Sequence, residues 1–268
     1  MILFLLKEGD IMTFHSREEV MNFICTLIPL GDGSQGVCYV DKNFQKVYKF
    51  YRSYLEFDDI LYTKEEILQF KDIKSSTFLF PEEVILLNDE VIGDVTPYRN
   101  AKNLCSLNPL NIRLDRLIKL LVIALKEIEY ISRSGVNSFD VMYNILLGNK
   151  LYIVDTLDYS INDRDYKAIL SDNMKYFNLG IMYFLVDGLF DGIVSQNAKL
   201  KEMYDLKGRD ISILEFTVEL KKYLSEILGH EITYLREARD LRDQDVVEYH
   251  LKYDRDAMLR ERIINIQE

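Results

Sequence analysis

The sequence is poor in the residues that staple or punctuate a chain. Its 268 residues hold three cysteines, four prolines and twelve glycines. Cys25, Cys38 and Cys105 form no even-numbered framework and no C-x-x-C pair, which excludes a disulfide scaffold and leads us to expect a reducing cytoplasm. His15, His230 and His250 are scattered in sequence and suggest no zinc site. Positive charge is also short, with Lys+Arg 33 against Asp+Glu 44 and a formal net charge of -11. Such a chain repels polyphosphate backbones and anionic membranes, so nucleic acid is not an expected partner. Long apolar runs are missing too. M-I-L-F-L-L at the start and L-G-I-M-Y-F-L-V after Asn178 fall well short of the ~18 residues that span a bilayer. Lys7, Glu8, Gly9 and Asp10 follow the first apolar run at once, unlike the basic start and small-residue cleavage site of a secretory signal. K-E-G-D-I before Met12 is encodable by a purine-rich stretch like a bacterial ribosome-binding site, which makes Met12 a candidate native start. If Met1 is the start, residues 1–14 are expected to add a strand, and in either case a helix follows over about residues 18–26.

What the chain does have is apolar mass. Hydrophobic residues make up 48%, enough at this length to bury roughly three quarters of the unfolded surface. No Ser/Gly-rich linker or internal repeat marks a boundary, but the pattern changes along the chain. Residues 28–98 are mostly short β-like runs, C-Y-V, K-V-Y-K-F-Y, P-E-E-V-I-L-L and V-I-G-D-V-T, with one helix-like interval over 58–73. From Leu114 onward helical periods dominate. Leu114, Leu117, Ile118, Leu121, Leu125 and Ile128 recur at three- and four-residue steps. Residues 176–190 are apolar nearly all round and read as a central helix; residues 214–228, closed by Gly229, read as another. The last 30 or so residues alternate in charge and read as an exposed helix or frayed tail. Inside the helical half, N-I-L-L-G-N-K-L-Y-I-V-D reads as a β-hairpin turning at Gly148-Asn149.

Three constellations carry possible chemistry. In L-G-D-G-S-Q-G-V-C-Y-V, Gly31, Gly33 and Gly36 form G-x-G-x-x-G, a spacing that lets backbone N–H groups approach phosphate oxygens. β-formers follow the glycines, placing them in a strand-loop-strand hairpin and disfavouring Rossmann and Walker A readings; a plain hairpin turn is the bland alternative. Lys49 comes next, alternating with Tyr48 and Phe50 in the following strand. One strand face would direct its ammonium under the glycine loop, while a strand lysine more commonly faces solvent. Glu65 and Glu66 follow in T-K-E-E-I-L-Q-F, positioned to hold Lys49 or simply to complement a helix start. The third constellation is S-F-D-V-M-Y-N, the hairpin, and V-D-T-L-D. Asp140, Asn144 and Asp155 are oxygen ligands of the hard type magnesium prefers; singly, they read as a turn residue, a loop hydrogen-bonder and a strand-end cap.

In this order, over about residues 27–190, these features resemble the protein-kinase-like family. The resemblance implies an α+β, bilobal fold, with a small antiparallel β-rich N-lobe bearing one helix over 1–98 and a mainly helical C-lobe over 99–268. It implies that Gly31, Gly33 and Gly36 cover the ATP phosphates and that Lys49 holds them, paired to Glu66 or Glu65. Glu66 is preferred because Phe70 and Ile73 lie four and seven positions on. It further implies that Asp140 accepts the substrate hydroxyl proton, that Asn144 and Asp155 bind Mg2+, and that the backbone over 96–99, with Thr96 and Tyr98, meets adenine.

The sequence also departs from that family. Ser138-Phe139 precede Asp140, the step from Asp140 to Asn144 is one residue short, and Met142 stands where a lysine is common. Thr156-Leu157 follow Asp155, and no A-P-E precedes the central helix. A general base must lie within about 3 Å of its proton, so a contracted loop threatens catalysis more than nucleotide binding. The leading expectation is an ATP- and Mg-dependent phosphotransferase acting on a protein Ser/Thr or a small-molecule hydroxyl. A nucleotide-binding pseudokinase is the alternative, and nucleotidyl transfer on the same fold is a third.

Overall fold

The computed structural model describes residues 11–56 and 62–243. The chain divides into two compact units, Met1–Asn100 with Asp155–Asp158, and Ala101–Val154 with Tyr159–Glu268. A cut after residue 98 would have placed Asp155–Asp158 in the second unit; they join the first.

In the first unit the chain runs β1 (Ile11–Phe14), α1 (Arg17–Ile24), β2 (Ile28–Asp32), β3 (Gly36–Asp41), β4 (Lys46–Tyr51), α2 (Arg52–Glu56), α3 (Lys64–Leu68), β5 (Glu83–Leu87) and β6 (Glu90–Pro97). Six strands form one sheet in the order β1-β5-β6-β4-β3-β2. The sheet is mixed, which corrects the expected antiparallel one: β1 lies parallel to β5, with Phe14 opposite Leu87. No hairpin joins these two strands, so nothing forces them antiparallel.

Alternation in K-V-Y-K-F-Y sorts β4 between two faces. Tyr48 and Phe50 enter a cluster with Phe14, Val20, Ile24, Ile85 and Val95, on the side covered by α1. Ser16 caps that helix, its Oγ accepting from Glu19 N at 3.2 Å. Lys49 and Tyr51 take the other face, where Tyr51 packs with Ile67, Val84, Leu86 and Leu157. Full burial of each such side chain is worth about 1.5–3 kcal/mol. The helix-like interval expected over 58–73 is broken: 57–61 lie outside the described residues, α3 spans only Lys64–Leu68, and single turns follow to Ile73.

The second unit contains β7 (Lys102–Asn103), α4 (Leu114–Arg133), β8 (Val136–Asn137), β9 (Ile145–Leu147), β10 (Leu151–Ile153), β11 (Ser160–Ile161), α5 (Tyr166–Val186), α6 (Asp191–Gln196), α7 (Ala198–Asp205) and α8 (Ile213–Leu228). Leu114, Leu117, Leu121 and Ile128 are buried on α4 as their spacing requires, and the helix packs against α5, α8 and β10. The central helix starts ten residues before its apolar run, because Asp165 caps it by accepting from Lys167 N and Ala168 N. Gly229, at φ 73°, ends α8 as expected. β9 and β10 form the expected hairpin, with Leu147 opposite Leu151, so its loop has three residues and not two. Residues 1–10 and the charged tail from 244 lie outside the described residues. Among the described residues no helix is long and apolar enough to cross a membrane.

Candidate functional site

A single cross-strand row organises the chemistry of the first unit. Gly31 stands opposite Cys38, Cys38 opposite Lys49, Lys49 opposite Asp94, and Asp94 opposite Val84. Directly opposed residues project from the same face. The row therefore runs from the glycine hairpin through a lysine to a buried carboxylate.

Lys49 is held at its tip. Its Nζ donates to Asp155 Oδ1 at 2.6 Å and to Gln35 Oε1 at 2.6 Å. Gln35 sits in the hairpin loop, and its Nε2 donates to Asp158 Oδ2 at 2.7 Å. Tyr62 OH donates to the other oxygen of Asp158 at 3.4 Å. The Asp155–Asp158 segment is anchored between these polar groups by Leu157 in the Tyr51 cluster and by Thr156 Oγ1, which donates to Leu79 O at 3.4 Å. Asp155 itself has φ 59°, the left-handed region that non-glycine residues seldom occupy. Such conformations concentrate at functional sites.

Beneath this network lies Asp94, 1% exposed, with Tyr51 OH donating to its Oδ2 at 2.9 Å. Burial pushes the Asp94 carboxyl up to about 6, against the opposing pull of Lys49 and the Tyr51 hydrogen bond. For Lys49, burial favours the neutral amine, but the charges of Asp155 and Asp94 and the Asp155 hydrogen bond outweigh it, and its pKa is raised. The Cys38 thiol is pushed up to about 12, chiefly by burial, which disfavours the reactive thiolate.

The three glycines have different reasons to be glycine. A Cβ at Gly36 would sit 2.3 Å from Phe50 O, so this position serves strand packing. Gly31 has nothing within 4 Å, and Gly33 only Gly36 O at 3.6 Å; their open faces suit the approach of a ligand. Gly33 N donates to Gly36 O at 2.9 Å, which closes the expected hairpin. Arg52 clasps the same loop, its Nε donating to Gly33 O at 3.1 Å while its guanidinium pairs with Asp32.

Not every expected residue joins this group. The pairing of Lys49 with Glu66 is absent and is replaced by Asp155 and Gln35. Glu66 instead completes a capping box on α3, its Oε2 accepting from Thr63 N and Thr63 Oγ1, both at 2.8 Å. Those bonds, the backbone one first, hold its carboxyl below the usual range. Glu65 is also exposed. Thr96 lies opposite Val47 in the sheet. The N–H of Tyr98 donates to Gln45 O at 2.7 Å, and its carbonyl accepts from Arg99 Nη1 at 2.9 Å.

In the second unit Asp140 opens a tight turn over Val141–Tyr143 with φ 50°. Asn144 Nδ2 donates to Asp140 O at 3.0 Å, and Val154 N donates to Asn144 O at 3.1 Å. The loop leading to Asp140 hangs on Asn173 of α5, which is 1% exposed. Its Oδ1 accepts from Ser138 N and Ser138 Oγ, both at 2.7 Å, and its Nδ2 donates to Ser132 Oγ at 2.8 Å and Val136 O at 2.9 Å. Among the described residues no group of three or more His, Cys, Asp or Glu side chains could hold a metal ion.

The sequence reading missed Gln35, Asp94, Asp158, Arg52 and Asn173. Gln35 lies in L-G-D-G-S-Q-G and Asp94 in I-G-D-V-T-P-Y, but only the folding of the hairpin and the pairing of β4 with β6 bring them to Lys49. No protein-family model matches the chain, and no curated protein matches its sequence.

Proposed function

We propose that the chain is an ATP- and magnesium-dependent phosphotransferase that moves the γ-phosphoryl group to a hydroxyl. One observation carries this reading: Lys49 and Asp155, 106 positions apart, meet at 2.6 Å on the row that begins at Gly31. A phosphate-binding lysine, a metal-binding carboxylate and an unobstructed glycine hairpin are the parts a nucleotide triphosphate requires. Asp155 offers hard oxygen donors and its side chain is 37% exposed, which fits magnesium. In the second unit, Asn144 has an amide oxygen of the same hard type.

Charge supports the metal requirement. Asp155 pairs with the Lys49 ammonium, Asp94 lies opposite Lys49 in the sheet and Asp158 joins through Gln35, while Arg52 is matched by Asp32. A bare triphosphate meets net negative charge there. Bound magnesium supplies the compensating positive charge on the phosphates. Lys49 would then orient the phosphate oxygens beside the open faces of Gly31 and Gly33. Transfer would need a base for the acceptor's proton, the role proposed for Asp140, as the acceptor oxygen bonds to the γ-phosphorus and the bond from that phosphorus to the β–γ bridging oxygen breaks.

A second reading, nucleotide binding without transfer, is favoured by two specific features. Glu66 is engaged at the α3 cap, and Asp140 is one residue closer to Asn144 than transfer chemistry usually has it. Intact-protein mass after incubation with Mg-ATP, run beside Asp155→Asn, separates the readings. A phosphoryl-sized gain lost in the variant supports transfer to protein, and ATP consumption only with an added hydroxyl compound supports a small acceptor. An adenylyl-sized gain moves the function to nucleotidyl transfer. Saturable binding with neither gain nor consumption supports the switch.

A further inference from the structure

We propose that Asp94, braced by Tyr51, is the positioning residue that holds Lys49 toward the nucleotide phosphates. The proposal rests on the nucleotide reading above and names the group that does what a helix glutamate does not do in this chain.

Lys49 has two bonded partners, and both sit on loops at the edge of the site. Asp155 is the partner that magnesium would recruit, and a carboxylate drawn to a dication holds an ammonium less well. Gln35 is neutral and lies in the hairpin that a nucleotide would contact. Neither can be relied on to keep the ammonium in place once ligand arrives. Of the two helix glutamates, both exposed, Glu66 is occupied by Thr63 and Glu65 has no bond to Lys49.

Asp94 differs in each respect. It is fixed in the middle of β6, opposite Lys49 in the register of β4, on the same face of the sheet. At 1% exposure it cannot reach out to a metal. A carboxylate so buried requires compensation; Tyr51, two residues beyond Lys49 on β4 and on the same face, donates one hydrogen bond at 2.9 Å, and the ammonium opposite supplies the charge. Backbone packing fixes this placement further. A Cβ at Gly93 would sit 2.2 Å from Lys49 O, so only glycine beside Asp94 lets β6 approach the lysine's backbone this closely. Among the described residues the charged and titratable groups that act on Asp94 or feel its charge are Lys49 and Tyr51 on β4, Cys38 on β3, Tyr62, and Asp155 on its loop, and of these Lys49 alone is a cation.

The test compares full-length parent, Asp94→Asn and Tyr51→Phe. The first readout is the rate of labelling of Lys49 by limiting acetic anhydride at one pH, followed by peptide mass, with Lys46 on the same strand as internal reference. Loss of the fixed carboxylate is expected to speed Lys49 labelling about threefold or more relative to Lys46, with Tyr51→Phe a smaller change in the same direction. The second readout is Mg-ATP affinity, expected to fall about tenfold in Asp94→Asn. Unchanged Lys49 labelling in Asp94→Asn overturns the proposal, as does altered labelling with unchanged Mg-ATP affinity. If the parent binds no Mg-ATP, the nucleotide reading fails, while labelling still decides whether Asp94 holds Lys49. If Asp94→Asn does not fold, Tyr51→Phe carries the same comparison.

Discussion

Lys49 and Asp155 form an ion pair of 2.6 Å in which the lysine side chain is 13% exposed and the aspartate 37%. The lysine comes from the middle of a sheet strand and the aspartate from a left-handed turn after the hairpin of β9 and β10. Because Gln35 bonds the same ammonium and Asp158 bonds Gln35, the glycine hairpin and the 155–158 segment are one connected unit. A phosphate at Lys49, if the proposed function holds, would therefore engage both loops at once.

Glu66 provides a direct contrast. Its carboxylate caps α3 and has no part in the Lys49 network. Glu66→Gln is expected to leave Mg-ATP affinity within about twofold of the parent and to weaken the start of α3 slightly. Isothermal titration of the variant checks this, and a large loss of affinity would restore the glutamate to the lysine.

The glycines separate folding from binding. Gly36→Ala drives a Cβ into the Phe50 carbonyl, whose place is set by the sheet; a loss of roughly 1–3 kcal/mol in urea unfolding is expected. Gly31→Ala meets nothing within 4 Å and should stay within about 0.5 kcal/mol of the parent. If the hairpin covers phosphates, Gly31→Ala nevertheless weakens Mg-ATP binding.

Asp94 makes stability depend on pH. Its folded pKa, raised by burial from 3.8 to about 6, exceeds its unfolded value, so its contribution is full below about pH 4 and is lost as the pH rises through 6. Relative to the parent, Asp94→Asn should gain on the order of 3 kcal/mol between pH 4 and pH 7. Urea denaturation of both proteins at the two pH values measures this difference. A constant difference would mean that Asp94 does not titrate in that window.

Asn173 should behave as a structural anchor for the loop before Asp140. Asn173→Ala removes its four hydrogen bonds and leaves Ser138 N and Val136 O without their buried partner, an expected cost of about 2–4 kcal/mol. Hydrogen exchange should quicken at Ser138 before it does in the middle of α4. Equal protection in parent and variant would place the loop's support elsewhere.

Much of the local structure was legible because it is written in short-range chemistry. Period-two alternation gave β4 its two faces, Gly229 its helix end, and the β-formers after Gly36 the hairpin. Longer-range features were harder to see. The parallel pairing of β1 with β5 joins segments some seventy residues apart, and no turn chemistry records it. α5 was read late because its first turns carry Lys167, Asp172 and Lys175, which hide the helix from an apolar search while Asp165 starts it. In the site, Lys49 and Asp155 stood out as residue types in a recognisable order. Asp94 did not, because a carboxylate inside a strand gains meaning only from the residue opposite it. Glu66 drew attention for its place after Lys49, yet T-K-E-E is also a capping box, and the local hydrogen bonds prevail.

The most direct test of the proposed nucleotide site is isothermal titration of the parent with ATP, in magnesium and again in excess chelator, beside Asp155→Asn in magnesium. Saturable binding with magnesium that is lost in chelator and weakened at least about tenfold in Asp155→Asn is the result expected if Lys49 and Asp155 hold a magnesium nucleotide. Binding that is absent from the parent, or equally strong in the variant and without magnesium, would contradict it.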